Sequence, residues 1–61
     1  MSQLNQMELQ NLRHIISCHD VAAQKLEAYS QSLTDPEIKQ MFQQSAQSAR
    51  SAKQKLMSFL N

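Results

Sequence analysis

Two imidazoles and a thiol stand close together in HIISCHD, where His14, Cys18 and His19 precede Asp20. These are the side-chain types that bind zinc and copper and that serve as bases and nucleophiles. On a helix, His14 and Cys18 lie four residues apart on one side and could share a metal, while His19 points elsewhere. Two ligands fall short of the tetrahedral set that zinc requires, and neither C-x-x-C nor H-x-x-E-H occurs in the chain. The carboxylates offer no general acid/base pair, because Asp20, Glu27, Asp35 and Glu37 fall mostly on outward positions and Glu8 alone falls on the apolar stripe. The E-x-x-H step of diiron bundles is missing as well: Glu8, Glu27 and Glu37 are followed three residues later by Asn11, Ser30 and Gln40. The expectation is a protein with no catalytic, cofactor or metal residues, and not an enzyme.

The elements that carry these side chains follow from what the chain lacks. It has no glycine and one proline, Pro36. In SLTDPEIKQMF the proline pushes Asp35 out of the helical region and itself suits a first helical position. This predicts a helix over about 3–33, a turn at 34–36 and a second helix over about 36–60. Either Asp35 caps the second helix or Thr34 and Glu37 form a T-x-x-E capping box.

Apolar spacing supports both helices. Leu12, Ile15, His19, Ala22, Leu26, Tyr29 and Leu33 alternate steps of three and four, with Leu9, Ile16 and Ala23 widening the stripe. Ile38, Phe42, Ser45, Ala49, Ala52, Leu56 and Phe59 repeat the pattern after the proline, with Ala46 and Leu60 alongside. So short a turn makes the helices antiparallel. The fold class expected for residues 1–61 is therefore all-α, a single αα-hairpin domain. Its core or dimer interface is expected to comprise Leu12, Ile15, Ile16, His19, Leu26 and Tyr29 from the first helix and Phe42, Ala49, Leu56 and Phe59 from the second.

A chain of 61 residues and 7.0 kDa supplies only a few kcal/mol of core unless disulfides, metal or a second subunit assist. One cysteine forms no internal disulfide. Pairing two hairpins into a four-helix bundle hides stripes this wide, and a two-fold homodimer is the commonest closed form. Higher assembly of such dimers is compatible with the pattern.

On that scaffold His14 points outward, His19 faces the core near Ala49 and Ala52, and Cys18 flanks the interface. The favoured reading of His19 is a neutral core histidine bonded to a neighbour such as Ser45 or Ser48. Cys18 reads as a small apolar filler, with an interchain disulfide as the alternative.

A formal charge of +1 with scattered basic residues gives no steering toward nucleic acid. Lys53 and Lys55 match the C-terminal end of a helix dipole. No apolar run is long enough to span a bilayer, and Met1 to Gln10 lacks the basic start and apolar stretch of a signal peptide. The chain is expected to be synthesised in the cytoplasm and to stay inside the cell that makes it, without membrane or nucleic-acid partners. Its outer faces are rich in amides, among them Gln24, Gln31, Gln40, Gln43, Gln44, Gln47 and Gln54. Such faces resist desolvation less than lysine and glutamate do. Met7, Met41 and Met57 read as core edge.

The segments MELQNLRHII and AAQKLEAYSQSLTDPEIKQMFQQSAQSARSAKQKLMSFL, spanning Met7 to Leu60, resemble small spore coat proteins of endospore-forming bacteria related to the Coat F family. The likeness lies in the helix pair, the DPE-I-K-x-x-F turn-helix and the amide-rich faces. It implies a ferritin-like bundle without the metal centre, a structural place in the spore coat, other coat proteins as partners, and no catalytic residues to carry over. This chain is one hairpin, so dimerisation would replace the missing half. A second resemblance, to small sporulation-regulating aspartyl-phosphate phosphatases, fits the LTDPEI turn. Their S-Q-E-L-D motif has no counterpart in SAQSARSAKQKL, which holds no acid after Glu37. A regulator that binds or dephosphorylates a response regulator therefore ranks second.

Overall fold

Asn5 starts the first helix. Its side chain accepts a hydrogen bond from the Glu8 amide at 2.7 Å, and the Glu8 carboxylate accepts one from the Asn5 amide at 3.1 Å. This reciprocal box satisfies two amides that a helix start leaves without intrahelical partners. The computed structural model describes residues 4–60, with helix α1 at Gln6–Ser32, helix α2 at Pro36–Met57 and a 3₁₀ turn at Ser58–Leu60. The expected start near Gln3 lies outside the described residues.

The break falls at residues 33–35, one residue ahead of the expected turn. Leu33 and Asp35 are extended, at φ −86°, ψ 141° and φ −72°, ψ 118°. The Asp35 carboxylate accepts from the amides of Glu37 at 2.9 Å and Ile38 at 3.1 Å, which settles the cap on Asp35 rather than Thr34. Pro36 takes the first helical position, where its missing N–H costs nothing. No described residue has positive φ, so the reversal proceeds without glycine.

The two helices pack against each other as an all-α antiparallel hairpin. The residues they turn inward are Leu9, Leu12, Ile16, His19, Ala23, Leu26, Ser30 and Leu33 on α1 and the residue that follows it. On α2 they are Lys39, Phe42, Ala46, Ala49, Lys53 and Leu56. Both sets step by three and four without interruption, the a/d spacing of a helical seam. Among the described residues, only Ala23, Ser30 and Ala46 are fully buried. Small residues at these points allow the backbones close approach, and Ser30 satisfies its own hydroxyl by donating to the Glu27 carbonyl at 2.7 Å.

The stripe of large apolar residues is offset from this seam. Leu12, His19, Leu26 and Leu33 belong to both patterns, but the helix partner is met through Ile16, Ala23 and Ser30 rather than Ile15, Ala22 and Tyr29. The hairpin is correspondingly thin, with extents of 46 × 16 × 11 Å and a radius of gyration of 14.3 Å. A compact chain of this length would have a radius of about 10–11 Å.

Candidate functional site

With the inward residues set as a and d, the residues flanking the seam divide by chemistry. In an antiparallel pair, e positions lie beside e positions and g beside g, on the two broad faces of the ribbon. The e face holds Arg13, Asp20 and Glu27 from α1 and Gln43, Arg50 and Met57 from α2. Arg50 donates to the Glu27 carboxylate, and Lys53 Nζ donates to Asp20 Oδ1 at 3.0 Å. Beside them runs an open groove lined by Glu27, Gln40, Gln43, Gln44, Ala46, Gln47 and Arg50. Apart from Met57, 42 % exposed at one end, this face is polar, and its ion pairs join one helix to the other.

The g face has the opposite character. Apart from Glu8 near the start of α1, it is built from Ile15, Ala22, Tyr29, Ile38, Ser45 and the half-buried Ala52, with Phe59 in the 3₁₀ turn that follows α2. Ile15 is 46 % exposed, Tyr29 63 %, Ile38 44 % and Phe59 51 %. Exposed apolar residues stand elsewhere as well, Val21 and Leu60 among them together with Met7, Met41 and Met57, which are exposed rather than at the core edge, but those on the g face follow one another along both helices. The chain exposes 5037 Å² in all, whereas a folded monomer of 7.0 kDa exposes about 4,000 Å². The excess, about 1,000 Å², is close to the roughly 800 Å² that each partner buries in a stable complex.

The expected interface residues thus fall into two groups. Leu12, Ile16, His19, Leu26, Phe42, Ala49 and Leu56 are half-buried within the hairpin, while Ile15, Tyr29 and Phe59 stand on the exposed g face. The first group lines the seam and the second borders it, so the broad stripe read as one surface serves two directions.

The cluster that could do chemistry is dispersed by the same geometry. His14 and Cys18 are exposed on α1 and His19 is half-buried at the seam. The His19 ring finds its partner in its own helix rather than at Ser45 or Ser48: Nδ1 lies 2.9 Å from the Ile15 carbonyl oxygen. A carbonyl only accepts, so Nδ1 carries the proton and, in the neutral ring, Nε2 is the acceptor. Among the described residues, no three His, Cys, Asp or Glu side chains gather as a ligand set. No described helix is long and apolar enough to cross a membrane.

Four of the five acids are engaged in structure. Glu8 and Asp35 cap the two helices, and Asp20 and Glu27 hold the interhelical ion pairs. These pairs escaped the sequence reading, which placed Asp20 and Glu27 on outward positions and gave Lys53 to the helix dipole. The usable signal was the heptad offset: with Ala23 and Ser30 in the seam, Asp20 and Glu27 become flanking positions that face α2. Lys55 does occupy the last turn of α2.

Comparisons of the chain with protein-family models, with curated proteins and with solved structures found no match.

Proposed function

We propose that this chain is a non-enzymatic building or interaction protein whose working state is a homodimer, two hairpins closed through their g faces into a four-helix bundle. The observation that carries this reading is the contrast between the broad faces, one apolar and exposed, the other amide-rich and ion-paired. A stripe of a, d and g positions is what a bundle helix needs, whereas a two-stranded coil needs a and d alone. The seam by itself is slight, with two alanines and a serine as its fully buried residues. Burying the g face of a second copy supplies the missing core.

The non-enzymatic reading is supported by the acids, four of which are committed to caps and ion pairs. The assignment to a spore coat rests on the resemblance of the helix pair and its DPE-I-K-x-x-F turn to the Coat F family. In that setting the groove between Gln40 and Gln47 is a surface on which further coat proteins or further dimers could pack through amide hydrogen bonds.

Sedimentation equilibrium at neutral pH, with and without reductant, tests the proposal. A dimer whose mass is unchanged by reductant is expected. A monomer at micromolar concentration would overturn self-association, and release of phosphate from a phosphorylated response regulator would replace the building role with the regulatory one.

A further inference from the structure

Each exposed methionine stands in a different relation to the faces of the hairpin. With the seam at a and d, Met7 falls on f at the outer edge of α1, Met57 on e within the polar face, and Met41 on c of α2, next to g. Met41 follows Ile38 by three residues and precedes Ser45 by four, which places it on the same side of the helix as these g residues. In the single hairpin it is 62 % exposed. Resting on the self-association proposed above, we propose that Met41 is an oxidation site at the rim of the g face, through which peroxides weaken the dimer.

A thioether is apolar, polarisable and flexible, and at the rim of an interface it fills irregular gaps against a partner. With a hydroperoxide, the sulfur lone pair attacks the peroxide oxygen. An S–O bond forms, the O–O bond breaks, and the departing oxygen takes up the proton and leaves as water or an alcohol. The sulfur loses two electrons and the peroxide gains them. The product is a polar, chiral sulfoxide, a group that disrupts interfaces built on methionine. Its oxygen holds water, and closing the interface over it gives up that hydration. On the g side of its own helix, Ile38 one turn back is apolar and Ser45 one turn on carries a single hydroxyl, so at most one hydrogen bond is offered in return. A rim position is open whenever the hairpins separate, and oxidation there captures the free hairpin. Met7 and Met57 are exposed to the same reagent but lie away from the g face, so their conversion leaves the dimer as it is.

The test uses the whole chain carrying Cys18→Ser, so that thiol oxidation plays no part. Hydrogen peroxide is added until peptide mass mapping shows Met7, Met41 and Met57 each heavier by one oxygen, and the dissociation constant is measured by sedimentation before and after. A rise of about tenfold is expected, with helicity by circular dichroism unchanged. The Met41→Leu chain, oxidised alongside at its other methionines, should stay within about twofold of its own untreated value. An equal rise in the two chains, or no rise with Met41 converted, overturns the inference and leaves the dimer standing. So does a Met41 that resists peroxide while Met7 and Met57 convert, or a loss of helicity that accompanies the loss of affinity. A monomer before any peroxide is added overturns the dimer, and the inference with it.

Discussion

Replacing Tyr29 with alanine should weaken the dimer by about two orders of magnitude and leave the hairpin folded. In the single hairpin Tyr29 keeps 63 % of its surface exposed, on the order of 140 Å² for an aromatic residue of this size. Complete burial of that area at about 25 cal/mol per Å² gives a ceiling near 3.5 kcal/mol. A side chain at the flank of an interface is covered on one side only, which reduces the value to about 1.5 kcal/mol per copy. Two copies lose about 3 kcal/mol together, a rise in dissociation constant of roughly 100–200-fold. The helix itself is not harmed, since alanine is the better helix former and little of the tyrosine touches the seam. The assay is a dilution series by sedimentation, with helicity followed by circular dichroism. Gln43→Ala, on the opposite broad face, is the control and should stay within twofold of the parent chain. Equal dissociation constants for Tyr29→Ala and Gln43→Ala would refute the assignment of the g face as the interface.

Two further substitutions test the architecture. Asp35→Ala strips the acceptor from the Glu37 and Ile38 amides and should cost about 1 kcal/mol, lowering the melting temperature by about 4–8 °C at fixed chain concentration. Asp35→Asn keeps the acceptor and should lose less than half of that, so equal damage from the two would show that charge rather than hydrogen bonding makes the cap. A double-mutant cycle of Glu27→Gln and Arg50→Gln should give a coupling of about 0.5 kcal/mol, because both side chains are largely exposed. That coupling should vanish in 1 M salt, where the screening length is about 3 Å. A coupling above about 2 kcal/mol that ignores salt would mean the pair is desolvated in the assembled protein.

The fold was legible because its determinants are local. Pro36 after Asp35 marks the one place where the helical pattern stops, and a chain without glycine offers no rival turn. The seam was legible only in part. Hydrophobic periodicity weights large residues, and the larger ones, Ile15 and Tyr29, lie on the g face, while the helices approach through Ala23, Ser30 and Ala46. A serine and two lysines, Lys39 and Lys53, occupy a positions that a pattern of apolar spacing passes over. Lys53 is tolerated there because Asp20 receives its ammonium at 3.0 Å. The N-terminal cap was present in the sequence as Asn5-x-x-Glu8 but is a short signal among many polar residues. The partner of His19 could not have been read at all, since the Ile15 carbonyl belongs to every helix and carries no sequence mark.

Pro36 has a consequence that reaches past the turn it makes. Were residues 33–35 helical, α1 and α2 would fuse into one rod whose halves could pair with the halves of another chain, exchanging helices through the same contacts. The proline ring would collide with the carbonyl one turn back and has no N–H to continue the ladder, a penalty of about 3 kcal/mol in each rod. Asp35, held extended at ψ 118°, completes the barrier. The route to exchange through a fused rod is thereby penalised in each chain, and the turn favours α2 folding back on the α1 that precedes it.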